Sequence, residues 1–155
     1  SYRVNKEEYS AAKQYLRTIR NEQKELQSMK DMAAELRASI YPGEIVYDAV
    51  KVQTSPEDRM SEKMAAWSDL IGEIEQHIIT LEEKKVEALQ IIRKIEESNH
   101  RLVLELYYLA GVDSLLTWDQ VADKMSYTKR HVLKIHGAAL IDFAEIYKEL
   151  KDDTQ

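Results

Sequence analysis

The chain has 155 residues, of which 44% are hydrophobic and 32% charged, with a net charge of −6 and no cysteine. This composition is too apolar for a disordered chain, and the lack of cysteine excludes disulfides, thiolate metal sites and cysteine nucleophiles. No run of about 18 uncharged apolar residues occurs, so we expect no membrane span. Abundant helix-forming residues with only 4 glycines and 2 prolines predict an all-α fold, and the missing cysteines fit a cytoplasmic protein.

The first predicted element is a helix from about Asn5 to Ile40. Its apolar residues recur at steps of three and four, which places them on one face of a helix. They are Tyr9, Ala12, Leu16, Ile19, Leu26, Met29, Ala33, Leu36 and Ile40. Gln23 falls on this face and the phase slips after Leu26, so we expect an imperfect coiled-coil helix.

A second, longer helix is predicted from Ser55 to about Ser98. Serine can cap its start, Pro56 suits the first helical position, and the acids Glu57 and Asp58 favour the positive end of the helix dipole. Its apolar face is formed by Trp67, Ile71, Ile74, Ile78, Leu81, Lys85, Ala88, Ile92 and Ile95. A helix of this length needs a partner helix or a second copy to bury that face. Between the two helices, Glu44–Val52 is rich in β-branched residues and suits either a short strand or a packed loop.

The most informative stretch is Thr117–Leu140, which has the pattern of a helix-turn-helix. Thr117 and Gln120 form a capping box, Ser126-Tyr127 is a short connector, and Thr128 is a second good cap. Two short helices joined so tightly are expected to cross steeply, so that the second one exposes its first turn.

That first turn is basic. The segment Ser126–Ile141 contains no acidic residue, and long cations at a helix start can bind phosphates or the acceptor edge of guanine in the major groove. We therefore predict double-stranded DNA as the ligand, bound by Thr128, Lys129, Arg130, His131 and Lys134. A solvated basic surface is the alternative interpretation of the same residues.

The run from Val121 to Leu140 resembles region 4 of the sigma-70 family without a gap. The similarity lies in the Val121-Ala122 pair, the capping Thr128, and the pattern Val132-x-x-Ile135-x-x-x-Ala139-Leu140. Upstream, Arg101–Tyr108 resembles the preceding region 4 helix. Where sigma factors often have a glutamate beside arginines, this chain has Arg130-His131, so the resemblance leaves open which base sequence is read.

The chain also resembles the ArpU-like regulators of phages and prophages. The similarity is carried by Tyr127–Leu140 and by Val52–Met60, and it covers about Val50–Tyr147. The resemblance implies an activator of phage late genes that binds promoter DNA together with the RNA polymerase of the host bacterium. The same positions, Thr128 to His131 and Lys134, would contact the DNA.

These observations predict three parts. Residues 1–97 form a helical hairpin or coiled coil that self-associates, most simply as a homodimer; residues 98–150 form the helix-turn-helix domain; and residues 151–155 are a frayed tail. A small-terminase-like DNA-packaging subunit is an alternative that also combines a helix-turn-helix with helical oligomerisation. A polymerase-binding module without DNA contact is a third.

Other candidate residues favour simpler interpretations. His131 and His136 are five residues apart, which does not suit a shared metal on one helix face, so we expect no metal and no cofactor. His136 suits either packing or phosphate contact. Trp67 and Trp118 are expected to pack in cores. No glycine-rich phosphate loop or nucleophile motif occurs, so we expect no enzymatic activity.

Overall fold

A computed structural model describes residues 3–41, 56–110 and 115–153. Within these ranges the chain forms helices and no strand, which confirms the predicted all-α class. None of these helices is long and apolar enough to cross a membrane. The elements are α1 (Lys6–Ile40), α2 (Pro56–Ile92), α3 (Ser98–Leu104) with a π-helical extension (Glu105–Leu109), α4 (Trp118–Met125) and α5 (Lys129–Asp153).

Helix α1 begins with a reciprocal cap that the sequence analysis did not single out. The backbone N–H of Glu8 donates to Oδ1 of Asn5 at 2.8 Å, and the N–H of Asn5 donates to Oε1 of Glu8 at 2.9 Å. These bonds satisfy amide groups that have no partner inside the helix. The buried side chains of α1 follow the predicted apolar face: Ala12, Leu16, Ile19, Gln23, Leu26, Ala33 and Ile40.

Helix α2 begins at Pro56, as predicted, and its 37 residues span about 55 Å. Ser55 and the Glu44–Val52 segment lie outside the described residues. The helix ends at Ile92 rather than near Ser98. Beyond it, the N–H groups of Lys94 and Ile95 bond three residues back, and Arg101 donates to the carbonyl oxygens of Ile95 and Glu96 at 2.6 and 2.8 Å. A side chain from α3 therefore takes the acceptors that a longer helix would need.

The chain divides into two compact units, residues 25–80 and residues 1–24 with 81–155. In the first of these units, Leu26, Ala33, Ile40 and Ile74 are buried. Trp67 is half-buried there, with the guanidinium of Arg37 5.9 Å from its ring centroid. The boundary predicted between residues 97 and 98 lies inside the other unit, which contains α3, α4 and α5, and it remains a prediction about function.

The unit of residues 1–24 and 81–155 has a core built from several helices. Its largest fully buried side chains come from α1, α2, α3 with its extension, α4 and α5: Leu16, Ile19, Ile91, Ile92, Val103, Leu104, Tyr108, Val121, Val132, Leu140 and Phe143. Burying side chains of this size is worth about 1.5–3 kcal/mol each. The first half of α1 is therefore an integral part of the core beneath α4 and α5.

Two polar side chains of α1 fix this packing. Arg20 donates to the carbonyl oxygens of Tyr107 and Leu116 at 2.6 and 2.8 Å. Gln23, only 3% exposed, donates through Nε2 to the carbonyl of Tyr108 at 2.5 Å. The π-helical extension and the segment before α4 thus have carbonyl groups that α1 satisfies, which is why a glutamine occupies the buried face of α1.

Candidate nucleic-acid interface

Helix α4 starts at the predicted capping box. Oγ1 of Thr117 accepts from the backbone N–H of Gln120 at 3.2 Å, and Oε1 of Gln120 accepts from the N–H of Thr117 at 2.8 Å. The first residue of the helix, Trp118, stacks on Tyr107 with ring centroids 3.7 Å apart and an interplanar angle of 9°. The start of α4 is therefore fixed both by its cap and by the π-helical extension of α3.

The connector between α4 and α5 is a tight C-terminal turn. Ser126 has φ 61° and ψ 40°, in the left-handed region. The N–H of Tyr127 donates to the carbonyl of Ala122 at 3.1 Å, and that of Ser126 to Asp123 at 3.2 Å, which are the two bonds of a Schellman motif. Thr128 then caps α5, because its Oγ1 accepts from the N–H of His131 at 3.1 Å.

Helices α4 and α5 bury one face each and leave the start of α5 open. The buried side chains are Val121, Ala122 and Met125 of α4, and Val132, Ile135, Ala139 and Leu140 of α5. All five residues predicted to bind DNA are exposed: Thr128, Lys129, Arg130, His131 and Lys134. The structure thus brings the five side chains together over the first two turns of one helix.

The cations of this surface are not equivalent. Nζ of Lys129 lies 3.9 Å from Oδ2 of Asp119 in α4, with both side chains more than half exposed. Sequence reasoning missed this acid because it considered only Ser126–Ile141. Among the described residues, Arg130 and Lys134 form no ion pair. Since they are four apart and share a helix face, they are the strongest candidates for contact with an anion.

His131 is held by an aromatic neighbour. The ring of Tyr127 meets that of His131 edge-on at 4.6 Å, and the Tyr127 hydroxyl accepts from Nδ2 of Asn99 in α3 at 3.1 Å. Spacing along the sequence assigns Tyr127 only to the connector. Its contact with α3 depends on tertiary packing that spacing along the chain does not reveal.

Leu133 is another residue that the sequence analysis did not include. It is 41% exposed and lies on α5 beside Arg130, on the side away from Lys134. The helical period places it one residue after the buried Val132, although a leucine is normally assigned to a core. The exposed start of α5 therefore carries an apolar side chain as well as cations.

His136 belongs to an aromatic cluster and not to the exposed surface. Its Nε2 lies 2.8 Å from the hydroxyl of Tyr108, and its ring meets that of Trp118 at 4.5 Å. Burial, together with the nearby charges of Lys13 and Arg17, lowers the pKa of His136 to about 4. Of the two roles left open by the sequence, packing is the one that this environment supports.

The described residues contain no cluster of three or more histidine, aspartate or glutamate side chains that could hold a metal ion. Comparison with protein families, with curated proteins and with solved structures gives no match.

The buried His136 predicts a pH dependence of stability. An unfolded histidine titrates near 6.5 and folded His136 near 4, so the fold favours the neutral form. Its contribution to the free energy of unfolding is fully present above about pH 6.5. As the pH falls from 6.5 towards 4, the free energy of unfolding decreases by roughly 2–3 kcal/mol. Urea unfolding between pH 7 and 4 should show a steeper loss of unfolding free energy in the wild type than in His136→Gln or His136→Phe. Parallel curves for all three proteins would contradict this assignment.

The left-handed Ser126 predicts a stability order at this position. A left-handed conformation costs a residue with a Cβ about 1–2 kcal/mol, and the greater backbone freedom of unfolded glycine offsets about 0.5–1 kcal/mol of the gain from removing the Cβ. Ser126→Gly should therefore raise the unfolding free energy by up to about 1 kcal/mol, while Ser126→Val should lower it, because β-branched residues tolerate this region least. Thermal unfolding should give the order Gly, Ser, Val, and equal stability of the serine and valine proteins would refute the turn geometry.

Proposed function

We propose that this protein is a sequence-specific DNA-binding regulator of transcription in which α4, the turn and α5 act as a helix-turn-helix. The observation that carries the proposal is the open first part of α5. Arg130 and Lys134 stand there without a carboxylate partner among the described residues, while the opposite face of the same helix is buried by Val132 and Ile135. A helix start of this kind fits the major groove.

Each exposed side chain has a role in this proposal. Arg130 is suited to a bidentate contact with guanine O6 and N7, and the methyl groups of Leu133 to contact with a thymine methyl. The hydroxyl of Thr128 accepts from His131, so its proton remains available for a phosphate oxygen. Lys134 is suited to phosphate or guanine, whereas Lys129 contributes less because Asp119 lies beside it.

The net charge of −6 is compatible with this proposal. DNA affinity depends on cations that displace counterions locally, and the charge that matters is the one on the face that meets the duplex. Asp119 on α4 lies beside this face, 3.9 Å from Lys129, and it limits nonspecific attraction to the duplex.

The proposal includes two parts that contacts within the chain do not address. Action with host RNA polymerase at phage late promoters rests on the sequence resemblance, and function as a homodimer rests on the length and the apolar face of α2. Sedimentation of the full chain addresses the second part: two copies are expected, whereas a ring of eight or more copies would favour the DNA-packaging alternative.

The test of the proposed function is a pair of matched double variants. Lys129→Ala with Arg130→Ala removes two cations from the start of α5, and Arg93→Ala with Lys94→Ala removes two exposed cations after α2. Duplexes selected from a random pool by the full chain provide the probe. The first variant should lose at least about tenfold in affinity and reduce the salt slope of binding by up to about 2.

Two comparisons serve as controls for the Lys129 and Arg130 double variant. The Arg93 and Lys94 variant should bind like the wild type, and Arg130→Ala alone should lose more than Lys129→Ala alone, because Asp119 already partners Lys129. Failure of the full chain to select any sequence would refute sequence-specific binding. Equal losses for the two double variants would mean that α5 is not the reading helix.

A further inference from the structure

The first half of α1 is attached to the rest of its unit at two points, one before and one after the cations Lys13 and Arg17. On one side, Nζ of Lys148 in α5 lies 3.1 Å from Oε2 of Glu8. On the other side, Arg20 donates to the carbonyl oxygens of Tyr107 and Leu116. Because both ends of the segment are fixed to the unit that carries α4 and α5, Lys13 and Arg17 have a defined place in it.

That place is next to Arg20 on α1, which packs at the start of α4. Lys13, Arg17 and Arg20 recur at steps of four and three, so they share one face of α1. Arg20 lies 3.8 Å above the ring of Tyr107, which stacks on Trp118 at the first position of α4. The charges of Lys13 and Arg17 act on His136 of α5, and the charge of Arg17 also acts on Tyr108.

Within the described part of the chain, these two cations have no counterion. Arg17 is exposed and Lys13 is half-buried, and neither forms an ion pair with another described residue. The guanidinium of Arg20, in contrast, donates to the carbonyl oxygens of Tyr107 and Leu116 and covers the Tyr107 ring. The face of α1 next to α4 therefore offers two uncompensated positive charges to an external anion.

We infer that Lys13 and Arg17 bind the phosphate backbone of the duplex whose bases α5 reads. The inference rests on the proposed function and deepens it. In helix-turn-helix proteins the first helix of the motif crosses the backbone, and the positive end of the α4 dipole adds to the attraction at that point. Phosphate contacts of this kind position the protein and carry no base information.

The test uses the full chain with Lys13→Gln and Arg17→Gln, singly and together. The probes are the duplex selected by the wild-type protein and a scrambled duplex of the same length. Each single variant should weaken binding to both duplexes by the same factor and reduce the salt slope by about 1, and the double variant should reduce it by about 2, with unchanged base preference. Lys94→Gln is the matched control, an exposed cation in the same unit that lines a cleft together with Glu96, Glu97 and Glu145, and it should leave both quantities unchanged.

Two further comparisons separate the possible outcomes. Arg17→Lys keeps the positive charge, so this variant should have the salt slope of the wild type. If the guanidinium had a purely structural role, Arg17→Lys would instead reduce the slope as Arg17→Gln does. If the wild type binds and Arg130→Ala weakens binding, but the Lys13 and Arg17 variants behave like Lys94→Gln, the inference is overturned and the proposed function stands. If Arg130→Ala selects DNA as well as the wild type does, the proposed reading role of α5 is refuted, whatever the Lys13 and Arg17 variants show.

Discussion

The attachment of α1 to the carbonyl groups at the end of α3 is the interaction on which the arrangement of α3, α4 and α5 depends. The π-helical extension closes with the N–H of Ala110 bonded to the carbonyl of Glu105 at 2.8 Å, and the carbonyl groups of Tyr107 and Tyr108 receive donors from α1. Arg20 and Gln23 supply those donors. Without them, buried backbone acceptors would lose their partners, at a cost of about 1–3 kcal/mol each.

The same contacts determine where α4 begins. Arg20 binds the carbonyl of Leu116, directly before the capping residue Thr117, and it covers the Tyr107 ring on which Trp118 stacks. The aromatic cluster continues through Tyr108 to His136 of α5. Helices α3, α4 and α5 are thereby joined by one set of aromatic and carbonyl contacts, which supports the surface that we propose to read DNA.

The sequence was sufficient where structure is decided by near neighbours. The capping box at Thr117, the cap at Thr128, the start of α2 at Pro56 and the exposure of Arg130 and Lys134 all follow from local spacing and helical periodicity. Features that depend on distant contacts were missed. The end of α2 at Ile92 depends on Arg101, and the pairing of Lys129 depends on Asp119 across the turn. Gln23 looked like an imperfection in an apolar face because its acceptor, the carbonyl of Tyr108, lies 85 residues away.

We propose that the first turns of α5 and the face of α1 that carries Lys13 and Arg17 meet the same DNA duplex. Chemical shifts of the full chain during titration with a selected duplex test this most directly. We expect changes concentrated at residues 128–134 and around Lys13 and Arg17. DNA binding that leaves residues 128–134 unchanged, or that acts only on residues 56–80, would contradict it.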